Sequence, residues 1–74
     1  PNLIIRKRTD REYQFLAERG TLEEGMKPEE VNLALGFPDR VERRIVQGME
    51  FDQWCYGSKY CYFNGGILGK KPDP

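Results

Sequence analysis

Gly25-Met26-Lys27-Pro28-Glu29-Glu30-Val31-Asn32-Leu33-Ala34-Leu35-Gly36-Phe37-Pro38 reads as one short helix with both ends marked. Pro28 suits the first helical position, where its missing N–H leaves no bond unmade and its φ is already helical. Glu29 and Glu30 put negative charge in the first turn, where the helix dipole favours it. Val31, Ala34 and Leu35 fall at i, i+3 and i+4, so the helix buries one narrow stripe. Gly36 suits a left-handed closing residue, and Pro38 prevents continuation. The predicted helix covers about residues 28–35.

Upstream, Thr9-Asp10-Arg11-Glu12 has capping-box spacing, a hydroxyl with a carboxylate three residues on. Tyr13, Leu16 and Ala17 continue it as an apolar stripe and Gly20 is a stop, which places a first helix over about residues 10–19. Residues 20–27 connect the two. After Pro38 the period changes. In Arg40-Val41-Glu42-Arg43-Arg44-Ile45-Val46, Val41 and Ile45 alternate with charged residues, as in a strand with one wet face. Gln47-Gly48-Met49 is a turn, Glu50 to Tyr56 a second strand, Gly57-Ser58 a turn and Lys59 to Phe63 an aromatic third strand. Asn64-Gly65-Gly66 turns the chain into a short Ile67-Leu68 segment. The sequence therefore predicts an α+β domain, with two helices on one face of a three-stranded or longer antiparallel meander. Residues 1–9 read as a linker, 10–69 as a single domain and 70–74 as a loose tail. The expected core is Val31, Leu35, Trp54, Tyr56 and Phe63, joined by Val41 and Ile45.

Seventy-four residues make one small domain with a thin stability margin. Twelve basic and twelve acidic side chains cancel, which argues against a general polyanion binder. No apolar run approaches the roughly 20 residues of a membrane span. Leu3-Ile4-Ile5 is too short for a signal-peptide core. A start at Pro1 rather than Met reads as a chain trimmed of an upstream segment.

Gly25-Met26, Glu30-Val31, Leu35-Gly36-x-Pro38, Trp54-x-Tyr56 and Tyr62-Phe63-x-Gly65, in this order and spacing, resemble the SmpA/OmlA family of small bacterial lipoproteins. That family includes the small accessory subunit of the outer-membrane β-barrel assembly machinery. The resemblance spans about residues 22–68. It implies an αα-βββ domain on the periplasmic side of the outer membrane, tethered by an N-terminal lipid. The implied role is scaffold or adaptor for other envelope proteins, without catalysis or cofactor. The layout also resembles the repeats of β-lactamase inhibitory proteins, which act by binding another protein. Two features depart from the family pattern. The lipid-accepting Cys is not among these residues, and Lys27 stands where a Ser or Thr cap is common.

Little chemistry is written in the residues themselves. The chain has no His, the commonest general base and metal ligand. Glu23-Glu24 and Glu29-Glu30 read as solvated charge near a helix start rather than as an acid–base pair. Gly65-Gly66 precedes no helix and so cradles no phosphate. For Cys55 and Cys61, a two-residue Gly57-Ser58 turn pairs Trp54 with Cys61 and Cys55 with Tyr60, sending the thiols to opposite faces. A three-residue loop would instead set Cys55 opposite Cys61 and permit a bridge. The first register gathers Trp54, Tyr56, Cys61 and Phe63 on one face and is the one favoured. Two cysteines without His do not make a structural zinc site. Tyr60, Tyr62 and Phe63 beside Arg40, Arg43 and Arg44 suggest RNA stacking, but the zero net charge and the lack of recognition-motif spacing count against it. Arg6-Lys7-Arg8 reads as a solvated linker that, near a membrane, would touch anionic head groups.

Function is then left to the sheet face turned away from the helices. Cys55, Tyr60 and Tyr62 belong to it, with Glu42, Arg44, Val46, Phe51 and Gln53 on neighbouring strands. Tyrosine with arginine is typical of protein-binding surfaces, and a half-wet sheet would carry the same residues. The candidate protein-binding residues are Arg44, Tyr60 and Tyr62, with the loop around Phe37 and Arg40 next. The alternative to an adaptor is an inhibitor-type domain that occludes an enzyme. A nucleic-acid binder comes third.

Overall fold

The computed structural model describes residues 6–71. Helices α1 (Asp10–Glu18) and α2 (Pro28–Leu35) precede strands β1 (Arg40–Val46), β2 (Met49–Tyr56), β3 (Lys59–Asn64) and β4 (Ile67–Gly69). The strands form one antiparallel sheet in the order β1-β2-β3-β4. The fold is α+β, as the sequence predicts, and the Ile67-Leu68 segment is a genuine fourth strand. Of the expected linker and tail, residues 1–5 and 72–74 lie outside the described residues.

Both helix starts follow from local chemistry. The Thr9 hydroxyl accepts from Glu12 N–H at 3.2 Å while the Glu12 carboxylate accepts from Thr9 N–H at 2.8 Å, a complete capping box. At α2, Lys27 has no side-chain acceptor, so only the reverse half forms: Glu30 accepts from Lys27 N–H at 2.8 Å. The stop of α2 corrects one expectation. Gly36 has positive φ (83°), but its ψ of −169° is extended rather than left-handed helical. The Tyr56 hydroxyl donates to the Gly36 carbonyl at 2.9 Å and holds that peptide turned away from the helix, and the chain bends at Phe37 and Asp39 before entering β1. Only glycine reaches this conformation without strain.

The β2–β3 register is Tyr56↔Lys59, Cys55↔Tyr60 and Trp54↔Cys61, the one set by a two-residue turn. The two thiols leave opposite faces and are free, and both are buried. Burial raises the Cys61 thiol pKa. On the helix side, Tyr13, Ala17, Met26 and Val31 meet Cys61, Phe63 and Leu68, with Trp54 and Tyr56 partly buried against them. The Trp54 and Phe63 rings are 4.5 Å apart.

Three expected core residues are not core. Val41 is 53% exposed, Ile45 67% and Leu35 38%. Val41 and Ile45 do lie on the helix side, opposite Trp54 and Glu50, but the helix layer does not reach them. The reason is the α1–α2 connector. Gly25 N–H donates to Leu68 O and Leu68 N–H to Met26 O, each at 2.8 Å, so the connector is stitched to the outer edge of β4. Met26 is fully buried there. That anchor draws the helices over β2 to β4 and leaves β1 bare. Gly25 (φ 102°) is needed at the stitch, since a Cβ would fall within 2.9 Å of Tyr13 Cζ and closer still to its hydroxyl.

The basic run before α1 is also corrected. Arg6 is no solvated linker residue. Its guanidinium lies 4.2 Å from the centre of the Tyr13 ring and donates twice to the Glu30 carboxylate, at 2.7 and 2.9 Å, with Asp10 a further partner. Arg8 pairs with Glu23. Lys7 N–H donates to the Tyr13 hydroxyl at 3.2 Å, which itself donates to Glu24 O at 3.1 Å. Glu30 is thus a tied, largely covered carboxylate rather than a solvated helix-start charge.

Candidate functional site

The face away from the helices is laid out by period-2 alternation along each strand. The β1–β2 and β2–β3 registers align Arg40 with Cys55 and Tyr60 in one row, and Glu42 with Gln53 and Tyr62 in the next. Arg44 stands opposite Phe51 in a third row. Among the described residues no helix covers this face, yet it hides two apolar groups. Phe51 is 6% and Cys55 1% exposed. The Tyr62 ring leans on Phe51 with ring centres 6.0 Å apart, and Gln53 Nε2 lies 3.8 Å from Cys55 Sγ. Large side chains lying flat make a small second core under a polar skin.

The charges on β1 form a ladder. Glu42 accepts from Arg40 Nε at 2.7 Å and from an Arg44 terminal nitrogen at 2.9 Å. These two bonds hold the Glu42 pKa below its ordinary value. Across the sheet, on the helix side, Arg43 donates to Asp52 at 2.9 Å and lies 3.8 Å from Glu50.

The structure brings Arg40, Arg44, Tyr60 and Tyr62 onto one surface. Phe37 stands apart, 84% exposed in the loop between α2 and β1. Tyr60 is 46% exposed and presents its ring to solvent. Tyr62 is half-buried over Phe51, so it is partly a structural residue. The sequence assigns no binding role to Gln53 and Glu42, which lie at the centre of the face. Their signal was parity alone, since both share the alternation of Arg44 and Tyr60. Among the described residues, no three Cys, Asp or Glu side chains are grouped to hold a metal, and no helix is long and apolar enough to cross a membrane. No family model, curated protein or solved structure matches the chain.

Proposed function

We propose that this domain is a non-enzymatic binding module of the bacterial envelope, a scaffold or adaptor that docks other envelope proteins on its open sheet face. The observation that carries the reading is the surface of Tyr60, Tyr62, Arg40 and Arg44 over buried Phe51 and Cys55. The Tyr62 ring is backed by Phe51, which restricts it before any partner arrives. Rigid aromatic and arginine side chains lose little freedom on binding, which is why they dominate protein interfaces. The resemblance to small outer-membrane lipoproteins supports a periplasmic setting with a lipid tether upstream. Zero net charge speaks against nucleic acid as the partner.

The test compares capture of envelope proteins by wild type, Tyr60→Ala and Arg44→Ala. Both side chains are about half exposed, so both variants should stay folded, with a smaller fall in melting temperature than Tyr62→Ala gives, and lose partners. Tyr62→Ala is a poorer probe, since it uncovers Phe51 and lowers stability as well. If Tyr60→Ala and Arg44→Ala capture the same proteins as strongly as wild type, the open face is not the docking site. The loop carrying Phe37 is then next.

A further inference from the structure

The outer edge of β1 has no backbone partner among the described residues, since β1 ends the sheet and no other segment bonds to it. A bare strand edge is a template for another strand, and natural edges carry charges that repel most comers. β1 has such charges at Arg40, Glu42, Arg43 and Arg44. Their order is not random with respect to the strand's own reverse.

We propose that two copies of this chain associate by antiparallel pairing of β1 with β1, about a two-fold axis at Arg43. This register sets Val41 opposite Ile45 of the second copy and Glu42 opposite its Arg44, each twice, with Arg40 opposite Val46 at each end. Facing residues in a sheet share a side, so the helix side gains a strip of four apolar groups. These are the residues that the helix layer leaves bare, 53% and 67% exposed. The other side gains two Glu–Arg pairs next to the existing Arg40–Glu42–Arg44 ladder. At the axis Arg43 meets its own copy, but each is already held by Asp52 and Glu50 of its own chain.

Neighbouring registers fail. Centring on Glu42 sets Glu42 against itself, Arg40 against Arg44 and Val41 against Arg43. Centring on Arg44 sets Arg44 against itself and Arg43 against Ile45, and leaves Val41 with no strand residue opposite it. Self-complementarity of this kind is what an isologous two-fold interface requires, and an unrelated peptide has no need of it. The dimer also stops growing at two. Its remaining edges are both β4, and each is closed by Gly25 and Met26. A seven-residue strand pair is a small interface, below about 1,200 Å², so association is weak and depends on concentration.

Sedimentation of the full chain from micromolar to millimolar concentration reads the equilibrium directly. Ile45→Lys, at an exposed position, should leave the far-ultraviolet spectrum unchanged and raise the dimer dissociation constant about tenfold or more. Glu42→Arg should do the same, and Glu42→Arg with Arg44→Glu should restore association. Under oxidation, Arg43→Cys should cross-link to itself, Val41→Cys alone should not, and Val41→Cys mixed with Ile45→Cys should. A chain that is monomeric at millimolar concentration, or a dimer indifferent to Ile45→Lys, overturns the proposal. Arg43→Cys cross-linking no faster than Val41→Cys, or a double charge reversal that fails to restore association, overturns the register.

Discussion

At β4 the connector between the helices lies along the sheet edge, bonded to Leu68 through both its N–H and its carbonyl and backed by fully buried Met26. At β1 the edge has, among the described residues, neither backbone partners nor a roof, and Val41 and Ile45 are exposed on the very side the helices occupy. Both strands have apolar residues facing the same way, so hydrophobicity does not explain the difference. Two backbone bonds from one loop decide which strands the helix layer covers. The two short helices of the described residues do not roof all four strands, and the connector selects the far three.

The contrast is broken most severely at the closed edge. Gly25→Ala forces a Cβ into the Tyr13 hydroxyl at a φ that L residues rarely adopt. Overpacking and backbone strain together should cost roughly 2–4 kcal/mol, a large part of the stability of so small a domain. Urea unfolding measures it. Unchanged stability would mean that the connector does not sit where the Leu68 bonds place it.

The N-terminal arm sharpens the comparison, because it reinforces the same side. Arg6→Ala removes the two hydrogen bonds that one guanidinium nitrogen makes to Glu30 and the stacking on Tyr13, and should cost about 1–2 kcal/mol. Acid loosens the arm by a second route. Hydrogen bonding to Arg8 lowers the Glu23 pKa below its ordinary value of 4.5. Hydrogen bonding to the Thr9 backbone, then to its hydroxyl, does the same for Glu12. A lowered folded pKa contributes stability that is fully present above 4.5 and is lost as pH falls through the folded values. Protection factors of residues 6–12, which correct for the slowing of intrinsic exchange in acid, should therefore fall below that range before those in β2 and β3 do. Simultaneous loss of protection everywhere would show that the arm is no separate unit.

The smallest effect belongs to the open edge. Ile45→Ser at micromolar concentration should change unfolding free energy by less than about 0.5 kcal/mol, because the side chain is 67% exposed. A larger loss would show that β1 is covered after all.

Much of the architecture is local, and local chemistry is legible in a chain of letters. Thr9 with Glu12, Pro28 with Glu30, and the Gly57-Ser58 turn each set an element boundary or a register through groups a few residues apart. The β2–β3 register follows from a two-residue turn, and with it the separation of Cys55 from Cys61 and the shared face of Tyr60 and Tyr62. What escaped the sequence depends on contacts between distant residues. Val41 and Ile45 have the alternation of a buried strand face, and whether a helix lies above them depends on Gly25 bonding to Leu68, 43 residues away. Arg6 looks like solvated charge until Glu30 and Tyr13 are brought to it by the packing of α1 on α2. Periodicity tells which side of a strand is apolar. Only the placement of the other layer tells whether that side is covered, because a small domain has less roof than sheet.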